Sequence, residues 1–300
     1  MAVNDRASTF EPLRARLYGI AYRMLGSRAD AEDIVQEAYL RWHRAPADEI
    51  RSAEAWLVTT TSRLCIDRLR AAQAERAAYI GPWLPEPLVG EAAAPPADAS
   101  TELASSLSVA FLAVLERLAP EERAAFLLHE VFDSDYTEIA QILGKSEAAC
   151  RQIVSRARKR VRDDRPRVHV SEIARKTVLE RFVTALLAQD KPALMQLLAA
   201  DVTWTSDGGG KAKAARKVVH GADHVARFVI GVIGRFAPRV QLRPITVNGE
   251  LGLALYGEGL LISIISIRTD GTRILDVFTV LNPDKLPPVV TATGEFPSSM

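Results

Sequence analysis

Apolar residues in the first third of the chain recur at spacings of three and four, which is the period of a helix packed on a core. Two such runs lie on either side of Gly26, and a third covers residues 53–76. The spacing predicts an all-α module over residues 1–78. It also predicts that Trp42 and Trp56 lie in the core of this module.

The pattern then breaks over residues 81–100, which contain five prolines and little apolar periodicity. Proline removes a backbone donor, so this stretch cannot form a regular helix or a central strand. We interpret residues 79–100 as a linker. A second helical block is predicted over residues 101–165, and Pro166 marks its end.

After Pro166 helical runs alternate with β-rich runs, and Asp270-Gly271 is a strong hairpin signal. Residues 166–287 are therefore predicted to form an α+β domain with helices on one side of a largely antiparallel sheet. The tail, residues 288–300, is predicted to be disordered. The fold class is two all-α helical modules followed by an α+β domain. The predicted β-rich runs are 202–205, 240–247, 252–257, 260–269 and 273–280.

Composition and charge are those of a folded protein and do not by themselves indicate a partner. The formal net charge is +1, so any claim of nucleic-acid binding must depend on where the charges lie. Cys65 and Cys150 are far apart in helical patterns, which argues against a disulfide framework. No signal peptide or spanning segment is recognised, so we expect a cytoplasmic protein, monomeric when free and not associated with a membrane.

The sharpest local signal is a helix-turn-helix over residues 136–158. Gly144 permits the left-handed conformation that ends a helix, and Ser146 is a good N-cap for the next helix. The start of the second helix would meet base edges in the major groove, and the following basic turns would neutralise phosphates. The candidate base-reading residues are Glu147, Arg151, Gln152, Ser155 and Arg156. The candidate phosphate-binding residues are Arg158, Lys159, Arg160 and Arg162.

Residues 145–162 carry seven basic residues against one acidic residue. A helical hairpin with a solvated basic face would show the same pattern, and that alternative stays open at this point.

Three separated motifs resemble regions two and four of extracytoplasmic-function sigma factors of the sigma-70 family. They are residues 33–40, residues 55–57 with 65–70, and the helix-turn-helix, and together they span residues 10–164. The resemblance implies binding to core RNA polymerase and to promoter DNA. It implies no catalytic residue, no metal and no cofactor.

The resemblance also assigns roles to the second and third helices. The second helix would face basic helices of the polymerase with Asp30, Asp33, Gln36 and Glu37, although an acidic face that only aids solubility is the alternative. The third helix would lie along the minus-ten element with Arg63, Arg68 and Arg70. A loop over residues 45–52 would hold a flipped base. This sequence departs from the common pattern there, because Arg63 stands where many relatives have Asn and the loop carries Pro46, Asp48 and Glu49 rather than aromatic residues.

The last third resembles SnoaL-like domains, which are cone-shaped, in the sigma subfamily that carries such a fusion. Residues 81–88, 207–211 and 282–286 resemble that subfamily's motifs. The resemblance implies that the domain regulates the sigma factor in cis, whether as activator or repressor, and a small ligand in the cone stays open. The implied regulatory contacts are Trp83, Leu84, Pro85, Asp207, Gly208, Gly209, Gly210, Lys211, Asn282, Pro283, Asp284, Lys285 and Leu286.

Two other classes of function compete with this interpretation. One is a helix-turn-helix regulator that acts without core polymerase. The other is an enzyme that uses Trp204, Asp207, His220 or His224 in the cone, with the N-terminal helices as a regulatory module. The segment 207–211 lacks the glycine spacing and the hydroxyl residue of a Walker loop, so its glycines are expected to allow close approach to another surface.

Overall fold

The computed structural model describes residues 3–46, 50–89, 107–164, 170–236 and 240–287. The chain divides into two compact units, one made of Met1–Ala77 and Leu112–Pro166 and the other of Ala78–Phe111 and Arg167–Met300. The second unit therefore includes linker residues as well as the C-terminal domain. Within the described ranges, no helix combines the length and the apolar character needed to cross a bilayer.

Three long helices open the first unit: α1 (Val3–Leu25), α2 (Arg28–Arg44) and α3 (Ala53–Ala77). α1 ends where Gly26 takes a left-handed φ of 66°. The Ser27 side chain then caps α2 by accepting a hydrogen bond from the Asp30 N–H at 3.3 Å. Trp42 is buried and its ring lies 5.6 Å from the ring of the half-buried Trp56. The apolar spacing of the sequence therefore located this core.

Four shorter helices follow: α4 (Val109–Leu115), α5 (Pro120–Glu130), α6 (Tyr136–Leu143) and α7 (Glu147–Asp164). α5 starts at Pro120, where proline's missing N–H is no loss, and the Glu122 carboxylate accepts from the Ala119 N–H at 3.3 Å. α5 contacts α1, α3, α6 and α7, and α6 contacts α3. These contacts gather α1–α3 and α5–α7 into a single unit.

The second unit contains helices and strands in mixed order. They are α8 (Glu172–Leu187), α9 (Lys191–Leu197), β1 (Leu198–Asp207), β2 (Val219–His220), α10 (Ala222–Phe236), β3 (Val240–Val247), β4 (Glu250–Gly257), β5 (Leu260–Thr269) and β6 (Ile274–Val280). The sheet order is β2-β1-β6-β5-β4-β3. β1 and β6 pair in parallel, and the other neighbours are antiparallel.

The sheet has a different apolar cluster on each face. On one face, residues of α8, α9 and α10 pack against strand residues such as Trp204, Ile267 and Val277. On the other face a smaller cluster forms around Ile245 and Ile264. Linker residue Val89 packs against this second cluster, so the linker covers part of the sheet.

The predicted fold class is confirmed: helical modules precede an α+β domain. β1 runs from Leu198 to Asp207 rather than over the predicted 202–205. Its pairing with β6 has a register shift between Leu198 and Thr203, which disturbs the alternation of buried and exposed residues. The apolar pattern therefore showed only the regular half of the strand.

Candidate nucleic-acid interface and linker-binding site

The helix-turn-helix is fixed by three local hydrogen-bonding features. The Asp135 carboxylate caps α6 by accepting from the Glu138 N–H at 2.8 Å. Gly144 has a φ of 64° and ends α6. The Ser146 hydroxyl oxygen then accepts from the Ala149 N–H at 3.3 Å, at the start of α7. The two helices are thus separated by a short turn, as the sequence predicts.

α7 has one buried face and one solvent face. Its buried residues are Cys150, Ile153, Val154, Ala157 and Val161. Its exposed residues include Arg151, Gln152, Ser155, Arg156 and Lys159, and Glu147 is half-buried at the helix start. The predicted base-reading residues therefore share one accessible side of the helix.

Arg151 is oriented by a small network at the start of α7. Its Nη2 donates to Glu147 Oε2 at 2.8 Å, and its guanidinium carbon lies 5.0 Å from the centre of the Tyr136 ring. The Thr137 hydroxyl donates to the other Glu147 oxygen at 2.9 Å. Tyr136 and Thr137 lie inside the predicted motif, but their position in it does not by itself indicate this role.

Two of the predicted phosphate-binding arginines form ion pairs with α5. Arg158 pairs with Glu130, and this hydrogen bond raises the pKa of Arg158. Arg160 Nη1 lies 2.5 Å from Glu122 Oε2. Within the described residues, neither Arg156 nor Lys159 forms an ion pair. Arg162 is also exposed and, among the described residues, has no ion pair, so Arg156, Lys159 and Arg162 are the predicted DNA-binding cations whose charge is not already compensated.

The three arginines predicted to lie along the minus-ten element all have partners inside the first unit. Arg63 donates to the backbone carbonyls of Gln141 at 2.6 Å and Ile142 at 3.1 Å, at the end of α6. Arg68 Nε donates to Asp30 Oδ1 at 2.9 Å. Arg70 Nη2 donates to Glu121 Oε1 at 2.7 Å. The sequence did not anticipate these contacts, because their partners lie 38 to 79 residues away.

Two of the four predicted polymerase-binding residues form ion pairs within the chain, and the other two are exposed. Asp30 is paired with Arg68, and Glu37 accepts from Arg41 Nε at 2.7 Å. Asp33 and Gln36 are exposed on α2. The base-holding loop predicted over 45–52 includes Asp48 and Glu49, which lie outside the described residues; Pro46 is exposed at its start.

Asp207, at the end of β1, is the centre of a second site, which lies entirely in the second unit. Its side chain is fully buried. Its Oδ1 accepts from the Tyr79 hydroxyl at 2.6 Å, and its Oδ2 accepts from the Leu84 N–H at 2.8 Å and from Lys285 Nζ at 2.7 Å. This one carboxylate therefore binds two linker residues and a lysine of the C-terminal segment.

Lys285 contacts the linker as well as Asp207. Its Nζ donates to the Leu84 carbonyl at 2.6 Å and lies 4.0 Å from the centre of the Trp83 ring. Asn282 Nδ2 donates to the Tyr79 hydroxyl oxygen at 2.9 Å. Burial and the hydrogen bond to Asp207 raise the pKa of Tyr79. The pairing satisfies both buried charges, which is the condition for an ion pair to be tolerated in an interior.

The glycine segment packs against the linker with almost no spare room. Gly209 and Gly210 have φ values of 57° and 74°. A β-carbon on Gly209 would lie 2.3 Å from Asn282 Nδ2, and one on Gly210 would lie 2.9 Å from the Ile80 side chain. Side chains at these positions are thus excluded both by conformation and by contact.

The remaining predicted residues lie around this site. Gly208 is buried beside Ala212 and Ala214, and Lys211 Nζ lies 2.5 Å from an Asp284 oxygen. Leu84 and Pro85 are buried. Pro283 begins a 3₁₀ turn, Pro283–Lys285, and Leu286 packs beside the Ile245 and Ile264 cluster.

A second attachment of the linker was missed by the sequence analysis. The Leu88 N–H donates to the Asn248 side-chain oxygen at 3.0 Å, and the Asn248 N–H donates to the Leu88 carbonyl at 2.8 Å. Val89 forms an antiparallel bridge with Val247. Asn248 lies in the β3–β4 turn with a φ of 51°, a conformation that asparagine tolerates in turns whether or not its side chain has such a partner.

The residues considered for catalysis do not form an acid-base centre. Both oxygens of Asp207 are occupied by the donors described above, and His220 and His224 are exposed. The Trp204 indole N–H donates to the Ser206 hydroxyl oxygen at 3.1 Å. Asp207 is therefore a structural hydrogen-bond acceptor in this geometry rather than a general base.

The chain is similar to known proteins over nearly its whole length. The family models of Sigma-70 region 2 and Sigma-70, region 4 match residues 9–75 and 108–161. The chain is 42% identical to the ECF RNA polymerase sigma factor SigJ of Mycobacterium tuberculosis over 294 residues, which cover 93% of this chain and 92% of SigJ. It is 32% identical to the probable ECF RNA polymerase sigma factor SigI of the same species, with 94% of each chain covered. The crystal structure of SigJ superposes with a TM-score of 0.75 at 40% identity, covering 93% of this chain and 97% of that one.

Proposed function

Because this chain belongs to the extracytoplasmic-function RNA polymerase sigma factors, which direct the polymerase to promoters, we propose that its C-terminal α+β domain modulates promoter use in cis by binding the linker between sigma regions 2 and 4. Membership in this family confirms that the chain is not an enzyme, and it excludes the interpretation as a regulator that acts without polymerase. Binding of a small ligand and the monomeric state remain predictions.

The observation that carries the proposal is the burial of Asp207 beneath the linker. Two donors from the linker and one from the C-terminal segment converge on this carboxylate. Releasing the linker removes two of these donors, and a buried polar group that loses its hydrogen-bond partner costs about 1–3 kcal/mol. The hydrogen bonds to Asp207 therefore favour the bound linker over a released one.

The linker is also held at a second point, where Leu88 binds Asn248 and Val89 binds Val247. Val89 lies eleven residues after Ala78, the first residue of the second unit. Residues between the two attachments cannot extend while both are made. The linker joins the two DNA-reading modules, so holding it shortens the chain available to span the two promoter elements. Promoter use should then depend on whether the C-terminal domain holds the linker.

The experiment compares Asp207→Asn with Asp201→Asn in transcription reactions containing core polymerase and a promoter fragment. Asp201 lies on the same strand but is exposed, so it serves as a matched control for the loss of one carboxylate. We expect D207N to change the rate of transcript formation and D201N to leave it unaltered. Hydrogen exchange of the Leu84 amide, which donates to Asp207, reports whether the linker has been released.

Two results would contradict the proposal. One is faster exchange at Leu84 in D207N with transcription identical to wild type. The other is a chain ended after residue 165 that uses the same promoters at the same rate as the full chain.

A further inference from the structure

Arg151, on the exposed face of α7, lies over an aromatic ring that belongs to α6. Its guanidinium carbon is 5.0 Å from the centre of the Tyr136 ring. Tyr136 is the first residue of α6 and is half-buried. A guanidinium is attracted to the negative face of such a ring, and this attraction restricts the orientations that the arginine side chain adopts. The side chain of Arg151 is therefore already ordered before DNA is bound.

The Tyr136 ring is itself held by α5. Its centre lies 4.4 Å from the centre of the His129 ring, and His129 Nδ1 lies 3.1 Å from the Ser134 carbonyl oxygen. Ser134 is buried, so the histidine is fixed on the segment that leads into α6. The position of the Tyr136 ring thus depends on α5 and on this segment, and not on Arg151.

The Glu147 carboxylate restrains Arg151 at a second point. Its Oε2 accepts from Arg151 Nη2 at 2.8 Å, and its Oε1 accepts from the Thr137 hydroxyl at 2.9 Å. Both oxygens therefore have donors inside the helix-turn-helix. A residue that reads a base has to present its donor or acceptor to a base edge in the groove. Glu147 instead presents its oxygens to α6 and to Arg151.

Arg151 keeps donors for DNA while it is held in this way. No described residue other than Glu147 accepts a hydrogen bond from its guanidinium, which carries further N–H groups. A guanidinium recognises guanine through a pair of N–H groups that donate to O6 and N7. An arginine that is ordered in advance loses less conformational entropy on binding than a mobile one. Restraint by Tyr136 and Glu147 should thus strengthen the contact with guanine.

We propose that Tyr136 and Glu147 are positioning residues, which make Arg151 selective for guanine at one base pair of the minus-35 element. Tyr136 acts through its ring and not through its hydroxyl group. Glu147, which the sequence analysis predicted to read a base, acts through Arg151. The inference concerns the helix-turn-helix alone and is independent of the role proposed for the C-terminal domain.

The test uses the complex of core polymerase with the full chain, in competition binding to promoter fragments that each differ at one base pair of the minus-35 element. Arg151→Ala identifies the base pair, because its preference for guanine is lost there. Tyr136→Leu should reduce that preference about two- to five-fold, the size of an exposed cation–π contact. It should leave binding to the fragment without this guanine unchanged. Tyr136→Phe keeps the ring and should retain the full preference.

A double-mutant cycle separates positioning from general stabilisation. In the R151A background, Y136L should have no further effect on the preference, since the side chain that the ring positions is gone. A ring that only stabilises the packing of α6 on α5 would instead weaken binding of every fragment in both backgrounds. The melting temperatures of Y136L and Y136F show whether the leucine variant is folded.

Two further variants test Glu147 without altering the ring, and so decide the question even if Y136L unfolds. Glu147→Ala should reduce the preference for guanine at the same base pair as R151A. Thr137→Val removes the hydroxyl that donates to Glu147 and should reduce the preference at that base pair by a smaller factor. Glu138→Gln, an exposed change next to Thr137 on α6, is the matched control and should alter nothing.

Three results would overturn the inference. One is a loss of preference in E147A at a base pair different from that of R151A, because Glu147 would then read a base itself. Another is an equal effect of Y136L with and without R151A. The third is a uniform weakening of all fragments by R151A, which would leave no base preference for the two residues to support.

Discussion

Arg68 Nε donates to Asp30 Oδ1 at 2.9 Å and so joins a residue predicted to bind DNA to one predicted to bind the polymerase. This hydrogen bond is the main reason that the pKa of Arg68 is raised. Both side chains are about one-third exposed, at 32% and 31%. A basic polymerase surface that attracts Asp30 would therefore loosen Arg68, and the two binding events would favour each other.

The first prediction distinguishes Asp30 from Asp33. Asp33 is exposed, and no described residue forms an ion pair with it, so its charge acts on the polymerase without competition. We expect D33N to slow association with core polymerase about two- to five-fold at low salt, and D30N to slow it less. Stopped-flow association at two salt concentrations measures both effects, which should shrink at high salt. Equal rates for D33N and wild type at low salt would contradict the assignment.

The second prediction concerns base reading by Arg151. The Glu147 carboxylate holds its guanidinium at the exposed start of α7, where the same fork suits guanine O6 and N7. We expect R151A to lose about 1–3 kcal/mol of discrimination at one base pair of the minus-35 element. K159A, which changes an exposed cation, should weaken all sequences about equally. Competition binding of the polymerase complex to single-base-pair variants measures this, and uniform weakening by R151A would argue for a phosphate contact instead.

The third prediction isolates the second linker attachment. Asn248→Gly removes the oxygen that accepts from the Leu88 N–H, and glycine readily adopts the φ of 51° found there. We expect the Leu88 amide to exchange faster in N248G while the Leu84 amide, bound to Asp207, keeps its protection. Hydrogen exchange read by mass spectrometry separates the two amides. If the Leu84 and Leu88 amides lose protection to the same extent, the linker detaches as one cooperative segment.

The fourth prediction uses the raised pKa of Tyr79. Its folded pKa lies above the unfolded value of about 10, so its contribution to stability is complete below pH ~10 and is lost as the pH rises through the folded value. A tyrosinate would also face the Asp207 carboxylate. We expect a phenolate absorbance titration of the wild type to contain a late step, and Y79F to remove that step.

Y256F, which changes a tyrosine on β4, is the control and should retain the late step. Finding the late step in Y79F as well would show that a tyrosine other than Tyr79 produces it.

Local signals made the helix-turn-helix predictable. Gly144, Ser146 and the apolar face of α7 act within a few residues of one another, and the hydrogen bonds that fix the turn are between neighbours. The strands β3 and β5 could be located for the same reason, since each has a regular pattern bounded by turn residues. β2 has only two residues, too few to show any period.

The partners of the site residues could not be predicted in this way. Arg63 and Ile142 are 79 residues apart, and Tyr79 and Asp207 are 128 apart. No periodicity connects such positions, so only the family resemblance assigned a role to Arg63. The motif resemblance did indicate that Asp207, Asn282 and Lys285 belong together, but it did not indicate that Tyr79 completes their site.

The short bridge between Val89 and Val247 has a consequence for solubility. β3 is the outermost strand on its side of the sheet, and an outer strand with open backbone groups invites pairing with a second copy and growth into aggregates. Pro244, in the middle of β3, has no backbone N–H to donate to another strand. The linker covers the end of β3 at Val247. A variant that frees the linker should thus be more prone to self-association through β3, even where its transcriptional behaviour is unaffected.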